Sequence, residues 1–168
     1  MGPETIVIAN RSRAGKILSS PRQRARFAYL VSIGAPAERE PAGFRNVANR
    51  LRLVFEDTMS QEDGGPISED VERIINFARK VDLAKGSILV QCEAGISRSS
   101  AGAIIVAAVI LGPGRELAAV RHVLSVHPVA RPNRRMLELA DAVLSNRGAI
   151  TTALQAVLED GASRPKTG

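Results

Sequence analysis

The chain has 168 residues, 45% of them hydrophobic and 24% charged, with a net charge of +6. That length supplies one well-buried core and is too short for two domains, and the composition excludes wholesale disorder. The positive charge suits a phosphorylated or polyanionic partner, but with 3% aromatic residues and no Trp the chain lacks the stacking platforms of single-stranded nucleic-acid binders, so no nucleic acid is expected.

A single cysteine, Cys92, rules out an intramolecular disulfide framework and fits a reducing compartment. The opening Met-Gly-Pro-Glu-Thr-Ile-Val-Ile has no basic region followed by an apolar one. The longest apolar run, Ala101 to Leu111, is too short to span a bilayer and ends at Gly112-Pro113. The expectation is a cytoplasmic protein without a membrane partner, one domain over residues 1–160, and a flexible polar tail over 161–168.

In chain order, Thr5 to Ala9 predicts a short strand, and Arg11, Arg13 and Lys16 follow in a short helix through Leu18. These cations read as a solvated basic face, with the fringe of an anion pocket as the alternative. Phe27 to Ile33 is nearly continuous apolar sequence bounded by Gly34 and Pro36, the pattern of a central strand covered on both faces, with Phe27 and Tyr29 in the core. Residues 38–46, with Pro41, Gly43 and mixed charge, predict a loop. Leu51, Leu53 and Phe55 alternate with Arg52, Val54 and Glu56, which argues a strand with one wetter face.

That strand delivers the chain to Glu56-Asp57-Thr58-Met59 and then to the turn-rich run 61–66. Ser68 predicts an N-cap, Glu69 and Asp70 suit a first helical turn, and Val71, Ile74, Ile75 and Ala78 mark one apolar face of a helix to about Val81. Ile88-Leu89-Val90 begins a central strand, so strand, helix and strand form a parallel crossover.

Ser87 to Ser100 runs from that strand through a loop holding the cysteine into an apolar helix. A thiol at a helix mouth meets unpaired backbone N–H groups and the positive end of the helix dipole, both of which favour thiolate. Cys92 and Arg98 bracket Glu93, Ala94, Gly95, Ile96 and Ser97, small enough to curl with amides inward as a cradle for a tetrahedral anion. Arg98 can grip two anion oxygens in a fork, and Ser99 can direct its hydroxyl at the sulfur.

The remainder predicts helices over Ser99–Leu111, Gly114–Val126, Pro132–Leu144 and Gly148–Leu158. Leu117, Val120, Val123 and Leu124 form one apolar stripe, and Met136, Leu137, Ala140, Val143 and Leu144 another. The fold class is therefore α/β, a central four- or five-stranded, mostly parallel sheet flanked by helices. His122 lies in an amphipathic helix and His127 precedes a proline; with one Cys and no clustered ligands, neither a metal nor another cofactor is expected.

Cys-Glu-Ala-Gly-Ile-Ser-Arg-Ser-Ser after an apolar strand resembles the signature loop of cysteine-dependent protein tyrosine phosphatases, and Ala-Gly-Ile-Ser-Arg-Ser is closest to the dual-specificity branch, as a small single-domain member of bacterial type. The resemblance covers the chain from about Leu51 to Leu144 and implies the same α/β sheet fold. Gln91 stands where the family usually has a His that helps hold the loop and tune the thiol. The resemblance implies Cys92 as nucleophile and Arg98 as clamp, and it calls for a general acid that protonates the leaving oxygen.

Asp57 fits that acid by its place after a strand end, before a mobile loop and upstream of the cysteine; Asp63 is the next candidate and Glu56 a weaker one. His127 to Arg134 is similar to the Ser-Pro-Asn run of these phosphatases, with Arg131 in place of Ser. That implies loop support from Asn133, although helix capping accounts for it equally. The expected activity is phosphomonoester hydrolysis through a phosphocysteine. The implied substrates are phosphotyrosine proteins, with phosphoserine, phosphothreonine or small phosphoesters as further possibilities. Lipid-directed relatives tend to carry Lys at the position of Glu93, which argues against phosphoinositides. Two alternatives stay open: a phosphate-binding module with weak or no catalysis, motivated by Gln91, and a rhodanese-like sulfurtransferase.

Overall fold

The structure is a computed structural model and describes residues 1–162. Its elements are β1 (Ile6–Asn10), α1 (Arg11–Ser19), α2 (Pro21–Arg24), β2 (Phe27–Gly34), β3 (Asn49–Val54), α3 (Ser68–Ala78), β4 (Ser87–Cys92), α4 (Arg98–Leu111), α5 (Glu116–Val126), α6 (Arg134–Leu144) and α7 (Ala149–Ala162), with 3-10 turns at Phe44–Asn46 and Leu83–Lys85. The strands form one four-stranded sheet in the order β1-β4-β2-β3, and every neighbouring pair is parallel.

Why the two inner strands sit inside follows from their sequences. Leu30, Val31, Ile33, Ile88, Leu89 and Val90 are all 0% exposed, so both faces of β2 and β4 are covered, as parallel sheets require. One face packs on α4, whose residues from Arg98 to Ala108 are buried, with α3, α5, α6 and α7 around it. Gly102 allows that approach: a Cβ there would come 3.2 Å from Ile33 Cδ1. The other face carries α1 and the Phe44–Asn46 turn over Leu18, Leu30, Phe44 and Leu89.

Most predicted elements stand within a few residues of their expected bounds, and the differences have local causes. Helix α2 was not expected; Ser20 caps it, its hydroxyl accepting from Gln23 N at 3.4 Å, and Pro21 opens it. The loop over 38–46 closes with the 3-10 turn because Phe44 is drawn into the core. Ser68 is not the N-cap of α3. Ile67 occupies that position, and the Asp70 carboxylate reaches back to accept from Ile67 N at 3.1 Å. In α5 the inward residues are Ala119, Val120 and Val123, while Leu117 is 40% exposed, so its stripe is rotated from the expected one.

Helix α7 runs to Ala162, two residues into the segment expected as a tail, and the rest of that segment lies outside the described residues. Its start is tied to α6 by Asp141, whose carboxylate accepts from Ile150 N at 2.9 Å, Thr151 N at 3.0 Å and Thr151 Oγ1 at 2.8 Å. Among the described residues no helix is long and apolar enough to cross a membrane.

Candidate active site

Each of the four strands delivers a charged or nucleophilic residue at or just beyond its carboxyl end. Arg11 follows β1, Glu38 follows β2, Asp57 follows β3, and Cys92 closes β4. Parallel strands gather their carboxyl ends on one edge, where ligands bind in open α/β sheets.

The loop from Cys92 to Arg98 curls over that edge. Gly95 has φ +71°, and a Cβ there would stand 2.6 Å from Asn10 N, so the turn needs both left-handed freedom and the absence of a side chain. The curl brings Gly95 N to 3.2 Å from Cys92 Sγ, and Ser99 Oγ lies 3.1 Å from the same sulfur. Cys92 is 1% exposed and sits against the start of α4. The outer rim is tied down by Arg131 N donating to Ile96 O at 3.0 Å and by His127 Nε2 at 2.8 Å from Gly95 O. Ser100 Oγ returns to the Ile96 and Ser97 carbonyls.

Arg98 is 5% exposed. Its Nη1 donates to Phe55 O at 3.0 Å, and Nη2 reaches both carboxylate oxygens of Glu38 at 3.2 and 3.0 Å. Its Nε is buried without a hydrogen-bond partner and stands 4.0 Å from Asp57 Oδ2. The guanidinium is therefore anchored on one side with a donor left free on the other. Burial alone would raise the Glu38 carboxyl, but the Ala35 amide at 2.7 Å and the Arg98 and Arg52 guanidiniums outweigh it and hold it below the ordinary carboxylate range.

Asp57 is brought to the loop. Its Oδ1 accepts from Ser97 Oγ and from Asn133 Nδ2, each at 2.8 Å, which leaves Oδ2 facing Arg98. Asn133 serves two purposes at once. Its Oδ1 caps α6 by accepting from Met136 N at 3.1 Å, while its Nδ2 holds Asp57 and its backbone N donates to Ser97 O at 3.3 Å. Asp63 and Glu56 are exposed, and Glu56 packs its side chain beneath Gly64.

Gln91, beside the cysteine, is buried and donates through Nε2 to Ser32 Oγ, while its Oε1 has no partner. Glu93 is forked by Arg11, Nε to Oε2 at 2.5 Å and Nη2 to Oε1 at 3.2 Å. One of the three α1 cations thus fringes the loop and offsets the Glu93 charge.

Four contributors were not singled out from the sequence. Glu38 lies in a segment read only as loop, Arg52 on a face read as wet, and His127 as an incidental residue before proline. Ser32 carried the one available signal: a hydroxyl inside an otherwise apolar central strand needs a buried partner.

No family model matches the chain, and no curated protein does. Solved structures do. DUSP15 aligns at 21% identity and a TM-score of 0.62, covering 94% of this chain and 92% of its own. Human DUSP28 aligns at 20% and 0.58 over 94% and 96%. The human tyrosine phosphatase-like serine/threonine/tyrosine-interacting protein aligns at 20% and 0.66 over 84% and 91%. The chain has the fold of the dual-specificity phosphatases.

Proposed function

We propose that this fold carries phosphomonoester hydrolysis through a phosphocysteine intermediate. The observation that supports it most is the Cys92–Arg98 loop at the mouth of a fourteen-residue helix, with the Gly95 amide 3.2 Å from the Cys92 sulfur and the free Arg98 Nε 4.0 Å from the Asp57 carboxylate. An amide donor at 3.2 Å, and a hydroxyl at 3.1 Å that turns its proton to the sulfur once the thiol ionises, stabilise a thiolate better than a thiol, and the loop amides with the guanidinium match a tetrahedral dianion.

In the first step Cys92 Sγ attacks phosphorus, the bond from phosphorus to the ester oxygen breaks, and Asp57 gives its proton to that oxygen. Oδ2 is the oxygen that carries the proton, since Oδ1 is held by Ser97 and Asn133. In the second step Asp57 takes a proton from water as the water oxygen attacks phosphorus. The sulfur–phosphorus bond breaks, and Ser99 donates its hydroxyl proton in a hydrogen bond to the departing thiolate. The resemblance of the loop makes phosphotyrosine proteins the first substrate class to test, with phosphoserine, phosphothreonine and small phosphoesters beside them.

The test is hydrolysis of an aryl phosphate by the wild type, Cys92→Ser and Asp57→Asn. The wild type is expected to turn over, Cys92→Ser to fall to background, and Asp57→Asn to fall by about 10²–10⁴-fold. Background rates in all three would remove the enzyme reading. A silent wild type that still binds phosphopeptide would be a binding module, and thiocyanate formation from thiosulfate and cyanide would point to sulfur transfer.

A further inference from the structure

Gln91, Ser32 and Arg52 form one rung of the sheet. The strand register sets Ser32 opposite Gln91 on β4 and opposite Arg52 on β3, and residues in register share a face. Two residues earlier the two inner strands place Leu30 beside Leu89 on the same face under α1, with Arg50 in register on the edge strand. On the inner strands the change from apolar to polar comes one residue before Cys92. Ser32 is 0% exposed and Gln91 1%. Gln91 Nε2 donates to Ser32 Oγ, and Arg52 Nη1 donates to the same oxygen at 2.8 Å.

The other arm of the Arg52 fork, Nη2, donates to Glu38 O at 2.7 Å. Glu38 is the residue whose carboxylate holds Arg98. The seat is shaped for this group: a Cβ on Gly34 would fall 2.3 Å from Arg52 Nη2. Withdrawing a guanidinium from water costs free energy, and an apolar rung of similar volume would hold the sheet at least as well. The two-step chemistry above makes no use of Arg52.

We propose that Arg52 is a positioning residue for the phosphate clamp, fixing Arg98 through Glu38 and the cysteine end of β4 through Ser32 and Gln91. The proposal rests on the phosphatase reading. Its effect is to set the guanidinium and the thiol in one frame before an anion arrives. Lysine cannot replace arginine here, because a single ammonium does not reach the Ser32 hydroxyl and the Glu38 carbonyl in one planar fork.

The experiment compares the wild type with Arg52→Met, Arg52→Lys, Ser32→Ala, Glu38→Gln and the double variant Arg52→Lys with Glu38→Gln. Competitive inhibition by inorganic phosphate, KM and kcat on an aryl phosphate, and thermal unfolding are measured for each. Arg52→Lys keeps the charge and is expected to weaken phosphate inhibition by about tenfold, the scale of one lost charge-assisted hydrogen bond. Adding Glu38→Gln should weaken it little further than Glu38→Gln alone, because both act on Arg98. Ser32→Ala cuts only the branch to Gln91 and should lower kcat more than it raises KM. If Arg52→Met fails to fold, the lysine and alanine variants carry the test. Folded Arg52→Lys and Ser32→Ala proteins with wild-type phosphate inhibition, KM and kcat overturn the positioning role alone. A wild type that neither binds inorganic phosphate nor hydrolyses the aryl phosphate overturns the phosphatase reading with it.

Discussion

Arg98 shows how much one side chain can be asked to do when it is buried. Its Nη1 and Nη2 are spent on Phe55 O and Glu38, and this is what leaves Nε presented on the other side. Arg98→Lys retains one positive charge and loses that division of labour, so phosphate inhibition is expected to weaken by about tenfold, the scale of the one charge-assisted hydrogen bond that Nε can offer. Its thermal unfolding should also fall, because Glu38 and Phe55 O lose their partner. Asp57→Asn is expected to differ in kind: phosphate inhibition should survive, while kcat falls, since an amide gives up no proton. A parallel loss of phosphate binding in Asp57→Asn would show that Asp57 holds the loop through Ser97 rather than moving protons.

At the scale of elements, the loop depends on β1 as much as on β4. Gly95 must take φ +71° with its α-carbon pressed against the end of β1. Gly95→Ala should cost about 1–3 kcal/mol in unfolding free energy and remove phosphate inhibition, because the amide at the sulfur moves with the turn. The α6–α7 junction offers the opposite case. Asp141 is 6% exposed and satisfies three donors at the start of α7, far along the chain from the cysteine. Asp141→Ala should cost about 1–3 kcal/mol by stranding buried amides, read as a lower melting temperature, with phosphate inhibition unchanged.

For the whole molecule, acid should act in two windows. The half-buried ring of His122 prefers the neutral form, partial burial being the larger cause and the N-terminal charge the smaller, so its protonation lies below the ordinary 6.5. Glu38 is likewise held below its ordinary 4.5. Both shifts are depressions. Each therefore contributes stability that is complete above the ordinary value and is lost as pH falls through the folded-state value. Urea unfolding measured from pH 7 downward should weaken first below 6.5 and again below 4.5. Glu38→Gln should flatten the second descent and leave the first, and a variant that kept both would remove Glu38 from the account of acid sensitivity.

The sequence alone carried the apolar strands, the amphipathic helices and the Cys92–Arg98 loop, because periodicity, capping residues and a glycine-bearing turn are local properties of neighbouring residues. It also pointed to Asp57, through its position after a strand end, as a side chain to look for beside that loop. Tertiary structure decided what faces the loop from elsewhere in the chain. Glu38 meets Arg98 across sixty positions, Asn133 meets Asp57 across seventy-six, and Gln91 meets Ser32 across fifty-nine. None of these pairings leaves a periodic trace. Parallel strand order and register set the pairing of Gln91 with Ser32, and a one-residue slip of β3 would turn Arg52 to the opposite face. The cysteine and its loop are written in one short stretch, whereas the groups that hold that loop come from distant segments of the chain.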